Sequence, residues 1–184
     1  FDDLARRSIV MENAFTAMPH TSKSLVTSHC GVAPPLDAHN SEGKAGGVAA
    51  RCLPRLLGDL GYKTAFFQSP TKDFENRGQM VDNLGFGEFY PLEELDKSGF
   101  EEVNPLGYED DIMVQPSVDW AKAQDGPFML SYMTVTGHYD YLLPDNFEIK
   151  HYSDDEVYNL YLNTVRYQDR FVGKLIQSFK DAGL

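Results

Sequence analysis

Two short, nearly continuous apolar runs, KTAFFQ at residues 63–68 and PFMLSYMT at residues 127–134, constrain the fold most. An apolar run this short that does not alternate with polar residues reads as a strand covered on both faces. Helical patterns lie between and around the two runs. Strands alternating with helices imply an α/β fold: a mainly parallel sheet with helices on both faces. In such sheets the chemistry sits beyond the C-terminal ends of the strands. Two segments are expected there, residues 16–23 after a first strand and residues 134–141 after the second apolar run.

The remaining elements follow from periodicity and punctuation. Residues 1–7 read as the end of a helix and 9–15 as a strand. Residues 22–30 read as a short helix, and 31–47, with Pro34, Pro35, His39 and Asn40, as a loop. A helix is expected over 48–60, closed by Gly61, and another over 73–84, ended by Gly85. A short strand is expected at 87–90 and a helix at 110–123. The last helix spans 154–181, where Val157, Leu160, Tyr161, Val165, Phe171, Val172, Leu175, Ile176 and Phe179 keep helical spacing. Ser153 and Glu156 form a capping-box pattern at its start.

The 184 residues suffice for one domain with a real core. A formal net charge of −12 argues against nucleic acid or an anionic membrane surface as the main partner. An anionic ligand would need local positive charge from a metal, an arginine or a helix N-terminus. No apolar run is long enough to span a membrane. The chain opens on Phe1-Asp2-Asp3 and closes on Asp181-Ala182-Gly183-Leu184, and reads as cut at both ends. Cys30 and Cys52 leave two readings open, a pair of buried thiols or a disulfide; they have no metal-binding spacing.

Three places could carry chemistry. In Met18-Pro19-His20-Thr21-Ser22-Lys23-Ser24, Thr21 is placed to be the N-cap of the following helix. Most such threonines are only caps. The same position would put the hydroxyl among free backbone N–H groups and the positive end of the helix dipole, where an anion is stabilised. A threonine hydroxyl needs a base or a metal to become a nucleophile. In Val135-Thr136-Gly137-His138-Tyr139-Asp140-Tyr141, His138 follows a buried-type strand. It is either a histidine satisfied within its loop or a donor to an anionic substrate or leaving group. Arg77, in Phe74-Glu75-Asn76-Arg77, is either half of a surface ion pair or a bidentate anion clamp. His20, His29, His39 and His151 form no spaced metal pair and read as structural or exposed. The acidic stretch Gly107-Tyr108-Glu109-Asp110-Asp111 reads as a helix N-terminus rather than a metal site.

Taken together these segments resemble the sulfatase family of the alkaline-phosphatase superfamily. The stretch FDDLARRSIVMENAFT is similar to the helix and strand before that family's nucleophile loop. In sulfatases the loop reads C/S-x-P-x-R; counting back from Gly31 puts Thr21 at the nucleophile position, with Lys23 for the Pro and Leu25 for the Arg. The modified-cysteine chemistry of true sulfatases is therefore not expected. The Thr21-Ser22 pair and GYKTAFFQSPTKDFENRGQMVDNLGFGEFY resemble the lipoteichoic-acid-synthase branch, whose segment reads GYKT…F-W-N-R…LGF-x-x-F. Arg77 matches that branch's substrate-binding Arg, and Glu75 stands where the branch has a Trp. The family's Gly-Lys-x-His motif is replaced by Gln68-Ser69-Pro70-Thr71. PFMLSYMTVTGHYDY is similar to the strand leading into the T-x-x-H-x-x-Y loop, so His138 matches the active-site His. YLNTVRYQDRFVGKLIQSFKDAGL resembles the helix before an Asp-His-Gly metal motif.

The resemblance implies an incomplete alkaline-phosphatase-like domain over residues 1–184. Its first strand, with an acidic metal ligand, is expected before Phe1, and the metal-binding Asp-His pair after Leu184. It implies a metal-dependent phosphotransferase or hydrolase acting on phosphate or sulfate esters, lipid-linked ones included. Thr21 would be both nucleophile and ligand to a divalent ion (Mn, Mg, Ca or Zn), and Arg77 and His138 would bind the substrate. The chain by itself is expected to be inactive and to bind metal weakly. The alternatives are a sulfatase or phosphodiesterase hydrolase, and a non-catalytic domain that retains the fold. A membrane anchor upstream and a place on the extracytoplasmic face of a bacterial membrane are also implied. In that compartment disulfides persist, so Cys30 and Cys52, each at a helix end around one loop, are expected to be bridged.

Overall fold

The computed structural model describes residues 1–16, 18–37 and 39–184; position 17 of the first candidate segment and position 38 of the loop lie outside them. KTAFFQ forms β1 (Lys63–Gln68), the central strand of a three-stranded sheet. It pairs in parallel with β2 (Glu88–Tyr90) on one side and with β5 (Phe128–Met133) on the other. Lys63 lies opposite Phe128 and Gln68 opposite Met133, so the C-terminal ends of β1 and β5 are level.

The alternation of side chains along β1 builds two cores. Ala65 and Phe67 point into one, shared with Ile112, Trp120, Ala121, Tyr167 and Phe171 from α5 (Val114–Lys122), the 3₁₀ turn before it, and α6 (Glu156–Asp181). Phe66 points into the other, with Val26 of α2 (Thr21–Cys30), Cys52 before α3 (Leu53–Asp59), and Met80, Val81 and Leu84 of α4 (Arg77–Leu84). Helices therefore cover both faces, as the apolar runs require. Burying a phenylalanine completely, as at Phe66 and Phe67, is worth about 1.5–3 kcal/mol each.

Several expectations are corrected. Residues 9–15 form no strand; Ile9, Met11 and Phe15 are exposed, and no partner edge accepts them among the described residues. A strand needs a neighbour for its N–H and C=O groups, and residue pattern alone does not supply one. The run at 127–134 is a strand, but it is half-buried and pairs on one edge only, so it is not an interior strand of the described sheet. α1 is confined to Asp2–Ala5. The helix expected over 48–60 begins only at Leu53, because Pro54 has no N–H and its ring would clash with the carbonyl four residues earlier. The helix expected from 73 begins at Arg77, because Glu75 and Asn76 adopt left-handed conformations in a 3₁₀ turn at Phe74–Asn76. The N-cap of α6 is Asp155, which accepts from Tyr158 N at 2.8 Å, in place of a Ser153–Glu156 box. A small hairpin, β3 (Glu102–Asn104) with β4 (Gly107–Tyr108), was not legible in the sequence because its strands are only three and two residues long.

Cys30 and Cys52 form a disulfide, with Cα atoms 4.0 Å apart, tying the end of α2 to the start of α3.

Candidate active site at the N-terminus of the second helix

α2 begins where the chain leaves an extended His20 (φ −150°, ψ 123°). His20, not Thr21, is the N-cap; Thr21 is the first helical residue. No side chain caps this end, so its first N–H groups have no partner within the helix. Thr21 is exposed and Ser22 is buried. At a helix start, consecutive residues are about 100° apart around the axis, so one side chain faces solvent while the next faces the core.

Ser22 opens a compact polar cluster. Its hydroxyl donates to Glu75 Oε2 at 2.6 Å and accepts from Arg77 Nη1 at 3.2 Å. Arg77 Nη2 donates to the same Glu75 oxygen at 3.0 Å, and His20 Nε2 lies 3.3 Å from Glu75 Oε1. Arg77 is 1% exposed, so it is not half of a surface ion pair. Burial pulls its guanidinium below the ordinary arginine value, while the Glu75 carboxylate pulls the other way. Its Nη1 also points at Met80 Sδ, 3.1 Å away, and its Nε is buried with no acceptor. Sulfur is a weak acceptor, so this cation keeps unused donor capacity.

His138 lies on a different loop at the same end of the sheet, beyond β5. It is exposed, and its Nδ1 is 2.6 Å from the Tyr139 carbonyl oxygen. No hydrogen bond or ion pair links it to Thr21 or Arg77 among the described residues. Its loop is held from below by Asp110, which is fully buried. Asp110 Oδ1 accepts from Ser69 Oγ at 2.6 Å and Val135 N at 2.7 Å; Oδ2 accepts from Thr136 N at 3.2 Å and Gln168 Nε2 at 2.7 Å. Burial raises the Asp110 carboxyl above its ordinary value, and these donors oppose the rise. The acidic stretch thus does more than begin a helix: one of its carboxylates joins β1, the β5 loop and α6. Gln68, in place of a family lysine motif, closes the turn after β1 by donating to the Pro70 and Thr71 carbonyls.

Lys23 is buried beside Glu42, with Nζ–Oε1 2.6 Å, and also donates to the His39 carbonyl at 2.9 Å. It anchors the 31–47 loop to α2. His29, as expected, is structural: its Nε2 is 3.0 Å from Ser131 Oγ on β5, and burial lowers its pKa. The roles of His20, Ser22, Glu75 and Asp110 escaped sequence reasoning, because none depends on local spacing. The one available signal was the Glu at 75 where related chains carry Trp.

No group of three His, Cys, Asp or Glu that could hold a metal occurs among the described residues. Around Thr21 the ligand types are His20 and a Glu75 carboxylate already engaged by Ser22 and Arg77, so these residues do not fit a divalent ion by themselves. Both cysteines are engaged in the disulfide, which leaves no thiol for modified-cysteine chemistry. A hollow of about 460 Å³ lined by Arg55, Tyr62, Thr64, Asp82 and Glu88 opens at the N-terminal end of β1, at the opposite end of the sheet from Arg77 and His138. No helix among the described residues is long and apolar enough to cross a membrane.

Comparison with known proteins places this geometry in a family. The chain is 30% identical over 135 residues to a lipoteichoic acid synthase of Staphylococcus aureus (strain USA300), an overlap of 72% of this chain and 21% of that protein. The chain thus spans only about a fifth of that relative. Its structure superposes on the lipoteichoic acid synthase LtaP of Listeria monocytogenes with a TM-score of 0.80 at 25% identity, covering 92% of this chain and 42% of the other. The C-terminal periplasmic domain of EcEptC from Escherichia coli shares the fold, with a TM-score of 0.67 at 20% identity, over 98% of this chain and 51% of that one. The Sulfatase family model matches residues 1–184 from end to end, and the chain belongs to that family, with an alkaline-phosphatase-superfamily fold.

Proposed function

We propose that this chain is part of a phosphotransferase of the lipoteichoic-acid-synthase type, with Thr21 as nucleophile. The observation that carries the reading is the start of α2. There an exposed hydroxyl stands at an uncapped helix N-terminus, and the neighbouring residue, Ser22, bonds a buried arginine that has donors to spare.

In this reading the Thr21 hydroxyl, which is exposed, gives up its proton to solvent water and its oxygen bonds to the phosphorus of an anionic ester. The ester oxygen leaves, is protonated and departs as the alcohol, and a phospho-threonine remains. An acceptor alcohol, or water in a hydrolase, then displaces the threonine. The free N–H groups of α2 stabilise the charge on the transferring group, and Arg77, bonded to Ser22, supplies a buried cation beside that end. His138, on the loop held by Asp110, is the donor to the substrate or leaving group, joining Thr21 and Arg77 when substrate bridges them. The divalent ion implied by the family would need ligands beyond Thr21. The disulfide supports an extracytoplasmic setting. A lipid-linked phosphate ester is the substrate class that the sequence relatives favour.

Thr21→Ala in the full-length native protein, assayed on bis(p-nitrophenyl) phosphate, is expected to lower turnover by a factor on the order of 10⁴ or more. Thr21 is exposed and makes no capping bond, so the melting curve should report a cost below about 1 kcal/mol. Near-normal turnover in that variant would remove the nucleophile assignment.

A further inference from the structure

Glu75 is held with unusual care, and its side chain is only 17% exposed. Its backbone is left-handed (φ 54°, ψ 27°), and so is that of Asn76 (φ 51°), a region that residues with a Cβ seldom adopt in succession. The loop at 40–43 locks this turn. Asn40 Nδ2 donates to the Glu75 carbonyl, and Asn76 Nδ2 donates to the Gly43 carbonyl. A Cβ at Gly43 would come within 2.7 Å of both Asn40 Nδ2 and Glu75 O, so the approach requires glycine. Backbone strain of this kind persists where the surroundings over-determine it, and it concentrates at functional sites.

The turn aims the carboxylate at the N-terminus of α2, where it takes donors from Ser22 and Arg77 and lies against His20. These are groups that an incoming phosphate would use. An ionised carboxylate has about four acceptor positions; Ser22 and Arg77 take two, and His20 lies against a third. Arg77, by contrast, is left with an unpartnered buried Nε and a sulfur contact. An arriving anion therefore meets a cation that is under-bonded but already charge-balanced.

We infer that Glu75 is a specificity-determining residue: a resident counter-anion of Arg77 that sets the site against doubly charged phosphates and leaves it open to singly charged phosphate esters. This deepens the proposed function and rests on its assignment of Arg77 to the substrate anion. Like charge at this spacing repels, and the repulsion grows with the charge on the ligand. Removing the carboxylate should therefore help a dianion more than a monoanion. A residue that merely supported the fold would loosen the site and weaken both.

The test is calorimetric binding of inorganic phosphate and of dimethyl phosphate to the full-length protein at about pH 8, where free phosphate is mainly a dianion. Glu75→Gln keeps an acceptor for Ser22 and Arg77 while losing the charge. It should tighten inorganic phosphate by about tenfold and dimethyl phosphate by clearly less. Glu75→Ala, which removes the carboxylate altogether, gives the same sign if the Gln variant does not fold. Arg77→Gln should weaken both ligands. Phosphate bound equally or more weakly by the Glu75 variants, with Arg77→Gln still losing both ligands, overturns the inference and leaves the proposed function standing. No binding of either ligand to the parent protein, or none lost in Arg77→Gln, overturns the inference together with the anion role of Arg77.

Discussion

Lys23 and Glu42 are both buried, and each is the other's only full counter-charge within 3 Å. Burial by itself would raise the Glu42 carboxyl, but the hydrogen bond and charge of Lys23 outweigh it and hold the pKa below the ordinary 4.5. A depressed carboxyl stabilises the fold fully above its unfolded value and loses that contribution as pH falls through the folded one. The pair's contribution should therefore be complete above pH 4.5 and decline below it. Glu42→Gln is expected to flatten that acid limb of a stability–pH curve. At neutral pH it should cost about 3 kcal/mol, because Lys23 stays buried with only the more distant Asp37 carboxylate, 3.8 Å away. A denaturant titration at several pH values checks both statements. The pair was invisible in sequence: Lys23 reads there only as a departure from a family proline, and nothing local links it to a residue 19 positions away.

At the scale of elements, α2 owes its position to both of its ends. Its N-terminus is fixed through Ser22 and Arg77, and its C-terminus through the disulfide and through Gly31, which is left-handed at φ 66° and ends the helix. The bridge joins residues 22 apart in sequence, a loop for which the chain-entropy model gives about 3 kcal/mol. Cys30→Ser with Cys52→Ser should lower the unfolding free energy by about that amount. The same shift should appear in the parent protein under reductant and be absent in the double variant. Equal sensitivity of the double variant to reductant would mean that the bridge is not the element responsible. The central strand and the long last helix were legible from their patterns, and β1 matches its expected span residue for residue. Helix starts were not, because Pro54 and the left-handed pair at Glu75 and Asn76 act against apolar periodicity at those ends.

For the molecule as a whole, Asp110 is the residue whose loss would be felt furthest. It links β1 through Ser69, the β5 loop through Val135 and Thr136, and α6 through Gln168. Asp110→Asn would turn an NH₂ group toward at least one of these donors. The expected cost is about 3 kcal/mol, the charged-partner end of the range for a broken buried hydrogen-bond set. Proteolysis should then cut first in residues 134–141, which lose a backbone anchor at Val135 or Thr136. Unchanged stability and an unchanged cleavage pattern would contradict this role.

The amino-acid sequence by itself determined the class of fold, because short apolar runs between amphipathic helices can bury their surface only as a helix-covered parallel sheet. It also determined that residues 134–141 fall beyond a strand end, since chain order and strand direction follow from that class, whereas residues 16–23 follow no strand among the described residues. The tertiary structure alone decided which polar side chains meet. Ser22 with Arg77 and Glu75, Lys23 with Glu42, and Asp110 with three separate elements are contacts across 19 to 58 positions, set by packing and by the need to pair buried charge. It alone also decided that residues 9–15 are not a strand, because an edge to pair with is a property of the sheet and not of the segment.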